Sequence, residues 1–405
     1  MAELKGIDYL RGKLARKSIR VRERYRFYEM KDIFSSRSIV IPKLLRGVEP
    51  VLGWCSKAVD SIADRLVFDG FSNDNFRIDE IFDYNSRDIF FDDACLSSLI
   101  SSCCFVYISR SGAGDPKLQV IDGGNATGKL DPVTRLLTEG YAVLDRDRDT
   151  GEANLEAYFV PGRTEIYRNG VLDEVYTSKV PFALLVPIVY RPDAVRPFGH
   201  SRISRACMEL THAALRTQLR SEVSAEFYSF PQKYVLGLSD KAEEFDKAQA
   251  MISSFLRFDK DDDGDKPVVG QFQQQSMAPY NDAMKNIASL FAGETGLTLD
   301  DLGFSTANPS TPEAIAASHE TLRLTARKAQ RTFGAGFLNV GYLAACVRDD
   351  YEYSRSAFYD TKPKWAPLFE PSASQISGIG DAVQKIQQSF PDYFTEEKLH
   401  ELTGI

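Results

Sequence analysis

The residues 123–130, GGNATGKL, come within one position of a phosphate-binding loop. The pattern G-x-x-x-x-G-K-[ST] cradles phosphate with backbone N–H groups, and its last hydroxyl reaches Mg²⁺. Here Leu130 stands where Ser or Thr is required, so the magnesium ligand is missing. Such a loop also needs a helix directly behind it, whose N-terminus faces the anion. The chain instead continues as LDPVTRLLTEGYAVLD, with Pro132 and β-type runs. The expectation is a glycine-rich turn in an antiparallel sheet. A nucleotide-binding enzyme using 123–129, with Lys129 as its cation, is the alternative.

Two acidic stretches approach calcium loops without completing them. Asp145, Asp147 and Asp149 hold positions 1, 3 and 5 with Glu156 at 12, but Thr150 occupies the glycine position and the flanks read as strands. Asp259, Asp261, Asp263 and Gly264 open a second loop, which Pro267 and Gly270 fail to close. Both read as acidic turns. The histidines, 200, 212, 319 and 400, are dispersed, with no H-E-x-x-H and no neighbouring cysteine pair. The six cysteines, 55, 95, 103, 104, 207 and 346, form no C-x-x-C and read as reduced thiols. No G-x-S-x-G elbow occurs. The patterns therefore predict no catalytic residue, no metal site, no cofactor and no enzyme.

The elements around these stretches are mixed. Residues 1–35 read as a helix rich in Lys, Arg and Tyr, and 50–67 carry a helical apolar stripe at 51, 52, 55, 59, 62, 63 and 66. A helix over 88–101 precedes the buried strand CCFVYIS, 103–109. From 117 to 190, short β-branched and aromatic runs between turn residues predict one antiparallel meander, with Asn169-Gly170 as a two-residue hairpin turn. Helices return at 201–230, 240–256 and 280–296, the first two separated by a strand and turn at 231–240, and the loop at 259–267 leads into VVGQF. A very long helix runs from Pro312 to about Asp349, with Ser310 and Glu313 as a capping box. Gly334, Gly336 and Gly341 predict a bend in it. A strand and turn over 365–380 and a helical tail over 380–405 close an α+β chain without internal repeats.

With 405 residues, 43% hydrophobic and 26% charged, the chain has the composition of a globular protein of two or three domains. Its apolar runs are too short to span a bilayer, so no membrane partner is expected; no signal peptide is read at the N-terminus. The net charge of −8 hides an asymmetry: residues 1–26 carry nine basic against three acidic side chains, a net +6, which leaves −14 on the remainder. A basic arm on an acidic body predicts docking to an acidic surface, a neighbouring copy included. Arg216/Arg220 and Glu222/Glu226 are like-charge i,i+4 pairs that gain from an opposite charge on a neighbour. A monomeric scaffold or adaptor docking by this arm is a further alternative.

The order of several motifs carries a resemblance. PFGHSRIS (197–204) opens a helix, SFPQKYVLG (229–237) comes after it, and GETGLTLDDLGFSTANPSTPEAI (293–315) leads into the long helix. With RERYRFYEMKD (22–32), this order resembles portal proteins of tailed bacteriophages, head–tail connectors of the siphophage-like kind, over roughly residues 20–395. The resemblance implies a homo-oligomeric ring, usually of twelve subunits, at one capsid vertex, assembled in the host cytoplasm and carried in the virion. Double-stranded DNA would pass through it. Its implied partners are the packaging ATPase (terminase large subunit), a head–tail adaptor, and the major capsid and scaffolding proteins.

The implied layout is a wing over 1–200, stem helices at 201–230 and 276–296, and a clip over 231–275 between them. A tunnel loop at 297–311, a long kinked wing helix with return strand at 312–370 and a reduced crown at 371–405 complete it. Leu299, Asp300, Leu302, Phe304, Ser305, Thr306 and Asn308 of the tunnel loop would face DNA. Asp259, Asp261, Asp262, Asp263 and Asp265 of the clip would meet motor or adaptor. Arg16, Arg20, Arg22, Arg24, Arg216 and Arg220 would lie at subunit interfaces. TLDDLGFSTANPS carries no Lys or Arg, which suits a conduit that must not capture phosphates.

Overall fold

The structure, a computed structural model, describes residues 4–31, 33, 49–110, 112, 114–147, 149–229, 233–236, 268–271, 276–304, 317–369, 373–391, 393–394 and 399. The fold is α+β, as the sequence predicts. The chain divides into two compact units: Met1–Ile33, Gly53–Met208 and Ala292–Ile405 form one, and Phe34–Leu52 with Glu209–Phe291 the other.

The larger unit is organised by antiparallel sheets. Strands β4 (Ala126–Leu130), β5 (Leu137–Arg146), β6 (Ala153–Val160), β7 (Arg163–Arg168) and β8 (Val171–Thr177) pair in chain order. Asn169 (φ 51°) and Gly170 (φ 77°) join β7 to β8, both in the left-handed region that a type I′ hairpin turn demands. The single meander expected over 117–190 is in fact split. β3 (Lys117–Asp122) and β9 (Leu185–Val189) leave it to flank β2 (Cys103–Ser109) in a separate three-stranded sheet. The reason is burial. β2 and β9 are apolar on both faces and almost wholly buried, whereas β8 is exposed along its whole length. Pro187, which cannot donate to a ladder, sits on β9, an edge of its sheet. Phe105, Ile121, Leu137, Phe159 and Leu185 form one core between the two sheets.

Helices cover the remaining surfaces. α1 (Ile7–Glu29), α2 (Trp54–Ala63), α3 (Ile78–Tyr84) and α4 (Arg87–Ser101) precede β2, and β1 (Phe68–Ser72) pairs with β12 (Lys362–Trp365). Phe68, Phe91 and Phe337 meet at ring-centroid distances of 4.2, 4.6 and 5.2 Å, joining β1, α4 and the long helix α7 (Glu320–Asp349). The sequence predicts a bend at the glycines of α7. The structure gives them a packing role: a Cβ on Gly334 or Gly336 would meet Pro363 Cγ at 2.7 Å or Ile188 Cδ1 at 2.8 Å, so the helix backbone lies directly on β12 and β9. The capping box at Ser310 and Glu313 lies outside the described residues. After β12 comes α8 (Ala373–Ser389), so both the last strand and the last helix begin earlier than the sequence suggests.

The smaller unit holds most of α5 (Arg205–Ser229) and of α6 (Ala278–Thr295), with the antiparallel pair β10 (Lys233–Leu236) and β11 (Val268–Gln271). Thr211, Ala214, Leu215 and Leu219 recur at helical spacing along the buried face of α5. Ala288 and Phe291 are buried on α6, and Ser224 Oγ donates to Tyr280 Oη at 2.8 Å, tying α5 to α6. The helix expected over 240–256 lies outside the described residues.

Candidate functional site

PFGHSRIS is a joint. Gly199 has φ +76°, and its N–H bonds to Arg196 O at 2.9 Å, while His200 N–H bonds to Tyr190 O at 3.0 Å. A Cβ on Gly199 would collide with the carbonyl of Tyr190, which explains why the position is glycine. Ser201 is buried and its hydroxyl donates to Ile100 O at 2.6 Å, near the C-terminus of α4. Arg202 N–H donates to Leu99 O at 2.8 Å in the same turn. The Arg202 guanidinium is buried; its Nε donates to Ala58 O of α2 at 3.0 Å and its Nη2 to Thr295 O at the end of α6. The second bond satisfies one of the carbonyls that a helix C-terminus leaves without an intrahelical donor. Burial lowers the Arg202 pKa from its ordinary value, against the opposing influence of Tyr190. Ser204 completes the joint: its Oγ accepts from Cys207 N at 3.1 Å as a helix cap and donates to Glu294 Oε1 at 2.7 Å. One short stretch thus fixes the first turn of α5 and the last turn of α6 to α2 and α4. Its chemistry is mechanical, with no nucleophile set against a base.

Beyond α6 the chain turns at Gly296 (φ +69°), buries Leu297 and forms a 3₁₀ turn at Asp300–Leu302. Asp301 Oδ2 accepts from Thr298 N at 2.8 Å and Thr298 Oγ1 at 2.9 Å, and Phe304 N–H returns to Leu299 O at 3.0 Å. His319 Nδ1 stands 3.8 Å from the same carboxylate. Of the expected tunnel-loop residues, Asp300 is exposed, while Leu299, Leu302 and Phe304 are half-buried. Ser305, Thr306 and Asn308 lie outside the described residues, as do Asp259, Asp261, Asp262, Asp263 and Asp265.

The basic N-terminus is built into the body of its own chain. Leu10, Leu14, Val21 and Phe27 of α1 are buried, the first two against Tyr141, Val143, Tyr158 and Val160 of the five-stranded sheet. Glu139, fully buried on β5, accepts from Lys5 N at 2.9 Å, Gly6 N at 2.6 Å and Tyr158 Oη at 2.7 Å, capping the start of α1. Glu156 on β6 takes the Arg11 fork, Nη2 at 2.6 Å and Nε at 3.1 Å, together with the Tyr141 hydroxyl. That bond to Glu156 raises the Arg11 pKa above its ordinary value despite partial burial. Of the expected interface arginines, Arg16, Arg20, Arg22, Arg216 and Arg220 are exposed, whereas Arg24 is half-buried and donates to Ser101 O at 3.0 Å. Sequence reasoning overlooked Glu139. Its only signal is a glutamate two positions from both Leu137 and Tyr141, and it became legible only once α1 lay on the sheet.

The acidic turn at 145–150 is a hairpin end, where Asp147 Oδ1 accepts from Asp149 N at 2.9 Å and Thr150 N at 2.8 Å. Among the described residues, no group of three or more His, Cys, Asp or Glu is placed to hold a metal ion. In GGNATGKL, residues 123–125 form a tight turn and 126–130 are β4, so a strand stands where a phosphate loop needs a helix. Gly124 N–H goes to Asp122 Oδ1 at 2.6 Å and Asn125 N–H to Asp122 O at 3.0 Å, which leaves neither for a phosphate.

No helix among the described residues is long and apolar enough to cross a membrane. No family model matches the sequence. Two curated relatives, from Mycobacterium phage L5 and Mycobacterium phage D29, are each 23% identical over 334 residues, covering 77% of this chain and 68% of the relative; both are named portal protein. Among solved structures, a chain from the virion of a native gene transfer agent particle aligns with a TM-score of 0.47 at 11% identity, covering 95% of this chain and 93% of that chain. The resemblance carried by the motif order is thus borne out by sequence matches, along most of the chain, to two mycobacteriophage proteins named portal protein.

Proposed function

We propose that this chain is the subunit of a portal ring through which double-stranded DNA enters and leaves a phage head. The observation that carries the reading is the match, over 334 residues, to proteins named portal protein. The joint at 197–208 supports it: a stem under load needs both helix ends locked to the body, and Arg202 and Ser204 hold α5 and α6 there. In this reading the wing is built from 1–200 and the long helix, and α5 and α6 are the stem. The clip between them meets the packaging ATPase and later the head–tail adaptor. The tunnel loop at 297–311 lies near DNA, and the exposed members of the expected interface set, Arg16, Arg20, Arg22, Arg216 and Arg220, face neighbouring copies. Capsid and scaffolding proteins surround the ring in the virion, and the chain itself has no catalytic role. Rings form through heterologous faces, and an uneven charge distribution along one chain can supply them.

Negative-stain imaging and native mass measurement of the purified protein, alone and co-expressed with its capsid and scaffolding proteins, test the ring; closed rings are expected, and a monomer under every condition refutes the reading. Deletion of residues 300–308 leaves rings intact and blocks packaging, and loss of the ring refutes the loop assignment. A nucleotide-binding reading requires ATP binding that Lys129→Ala abolishes, whereas no binding by the native protein is expected.

A further inference from the structure

A pocket of about 230 Å³ opens beside α1 in the larger unit. Lys13, Lys17, Arg20 and Arg24 line it from one helix face, spaced four, three and four residues apart. Arg196, from the loop before the joint, closes the opposite side, and Thr127 of β4 adds a hydroxyl. No acidic side chain lines the pocket. Like charges at i,i+3 and i,i+4 repel, and the arrangement stacks three such pairs before adding a fifth cation from another element.

Among the described residues, no ion pair engages this row; Glu139 and Glu23 act on Lys13 and Arg24 only at longer range. Lys13 Nζ donates to Gly128 O at 2.5 Å and Arg24 Nη1 to Ser101 O at 3.0 Å, but carbonyls carry no formal charge. No hydrogen bond or ion pair engages the Lys17 or Arg20 side chain among the described residues. The nearby carboxylates are committed elsewhere: Glu139 to the start of α1 and Tyr158, Asp122 to Gly124 N and Asn125 Nδ2, while Glu23 is exposed on α1. Burial, and then neighbouring Lys17, lower the Lys13 pKa; burial likewise dominates the lowering at Arg24. An anion in the pocket would relieve both.

We propose that this pocket binds a multiply charged oxyanion of the phosphate class. Five converging cations exceed what one carboxylate can balance, while tetrahedral phosphate oxygens accept from several donors at once, and guanidinium forks suit them. The mode differs from a phosphate loop. Side chains of α1 supply the donors, and the turn contributes Gly123 as a wall, while the N–H groups of Gly124 and Asn125 are directed to Asp122. The oxyanion is either free inorganic phosphate or a phosphodiester of nucleic acid.

The test titrates inorganic phosphate into the full-length protein at constant ionic strength, reading heat and thermal midpoint. Two charge-matched double variants are compared: Lys17→Ala/Arg20→Ala removes the pocket's unengaged cations, and Lys57→Ala/Arg327→Ala removes two exposed cations that do not line it. The pocket variant is expected to weaken phosphate binding at least tenfold, equivalent to about 1.4 kcal/mol, while the control variant binds as the native protein does. A 12-base-pair duplex that displaces phosphate assigns the site to a phosphodiester, and a duplex that does not assigns it to the free ion. The proposal is overturned if the native protein binds no phosphate, if chloride at matched ionic strength gives the same response, or if both variants lose binding equally.

Discussion

Two glycines with nearly the same backbone conformation separate conformational strain from steric exclusion. Gly170 has φ +77° and Gly199 has φ +76°. A Cβ on Gly170 meets nothing within 4 Å, whereas one on Gly199 lies against the Tyr190 carbonyl and 2.8 Å from Val189 Cγ1. Alanine at either position costs about 1–2 kcal/mol for left-handed backbone, offset by about 0.4–1 kcal/mol from the less flexible unfolded chain. Gly170→Ala is therefore expected to destabilise by about 1 kcal/mol. At Gly199 the chain must also move away from β9. Tyr190 cannot yield easily, because it is fully buried and its N–H is held to Ser102 O at 2.9 Å. Moving residue 199 instead stretches His200 N–H from Tyr190 O. Overpacking and a broken buried hydrogen bond add about 1–3 kcal/mol each, which brings Gly199→Ala to about 3–7 kcal/mol. Urea unfolding monitored by the fluorescence of Trp54 and Trp365, both in the larger unit, reads the difference. At a slope of about 3 kcal/mol/M, the midpoint falls by at least ~1 M for Gly199→Ala and by ~0.3 M for Gly170→Ala. Equal shifts in the two variants refute the steric argument.

Leu10→Ala, at a position with no exposed surface, lowers stability by about 2–5 kcal/mol, while Arg16→Ala on the exposed face changes it by about 0.5 kcal/mol or less; similar urea midpoints for the two mean that α1 is not part of the core. Burial pushes Cys103 from 9.0 up to about 12, and Tyr25 and Tyr107 from 10.0 up to about 12. These groups stay neutral in the folded protein at pH values where the unfolded chain ionises them, so their contribution to stability is complete below about pH 9 and falls as pH rises toward 12. A thermal midpoint that stays flat from pH 8.5 to 11 contradicts that linkage.

Local chemistry was legible where a single stretch decides it. CCFVYIS is apolar on both faces and is β2 to the residue. Asn169-Gly170 makes the hairpin turn because few other pairs accept two positive φ angles. Leu130 and the β-type runs behind it already favoured a turn over a phosphate loop. The partition of the strands was not legible: β3 and β9 resemble β4 to β8 as runs of residues, and only their pairing with β2 assigns them to another sheet. The packing of the basic N-terminus was not legible for a similar reason. Its charge reads as an arm for a neighbour, but Leu10, Leu14 and Arg11 meet partners more than a hundred residues away in the same chain.

By itself the sequence determined the α+β class, the absence of a complete phosphate loop, and the motif order that relates the chain to portal proteins, because composition, turn chemistry and motif spacing are written along the chain. Tertiary structure decided what those motifs are for. PFGHSRIS became a joint only when Tyr190, Ala58 and Thr295 were brought to it. The cations of α1 became the wall of a pocket only when the helix lay on the sheet and Arg196 closed over them. Both depend on contacts between residues distant in sequence, whose pairing is set by the competition for burial across the whole fold and not by local preference.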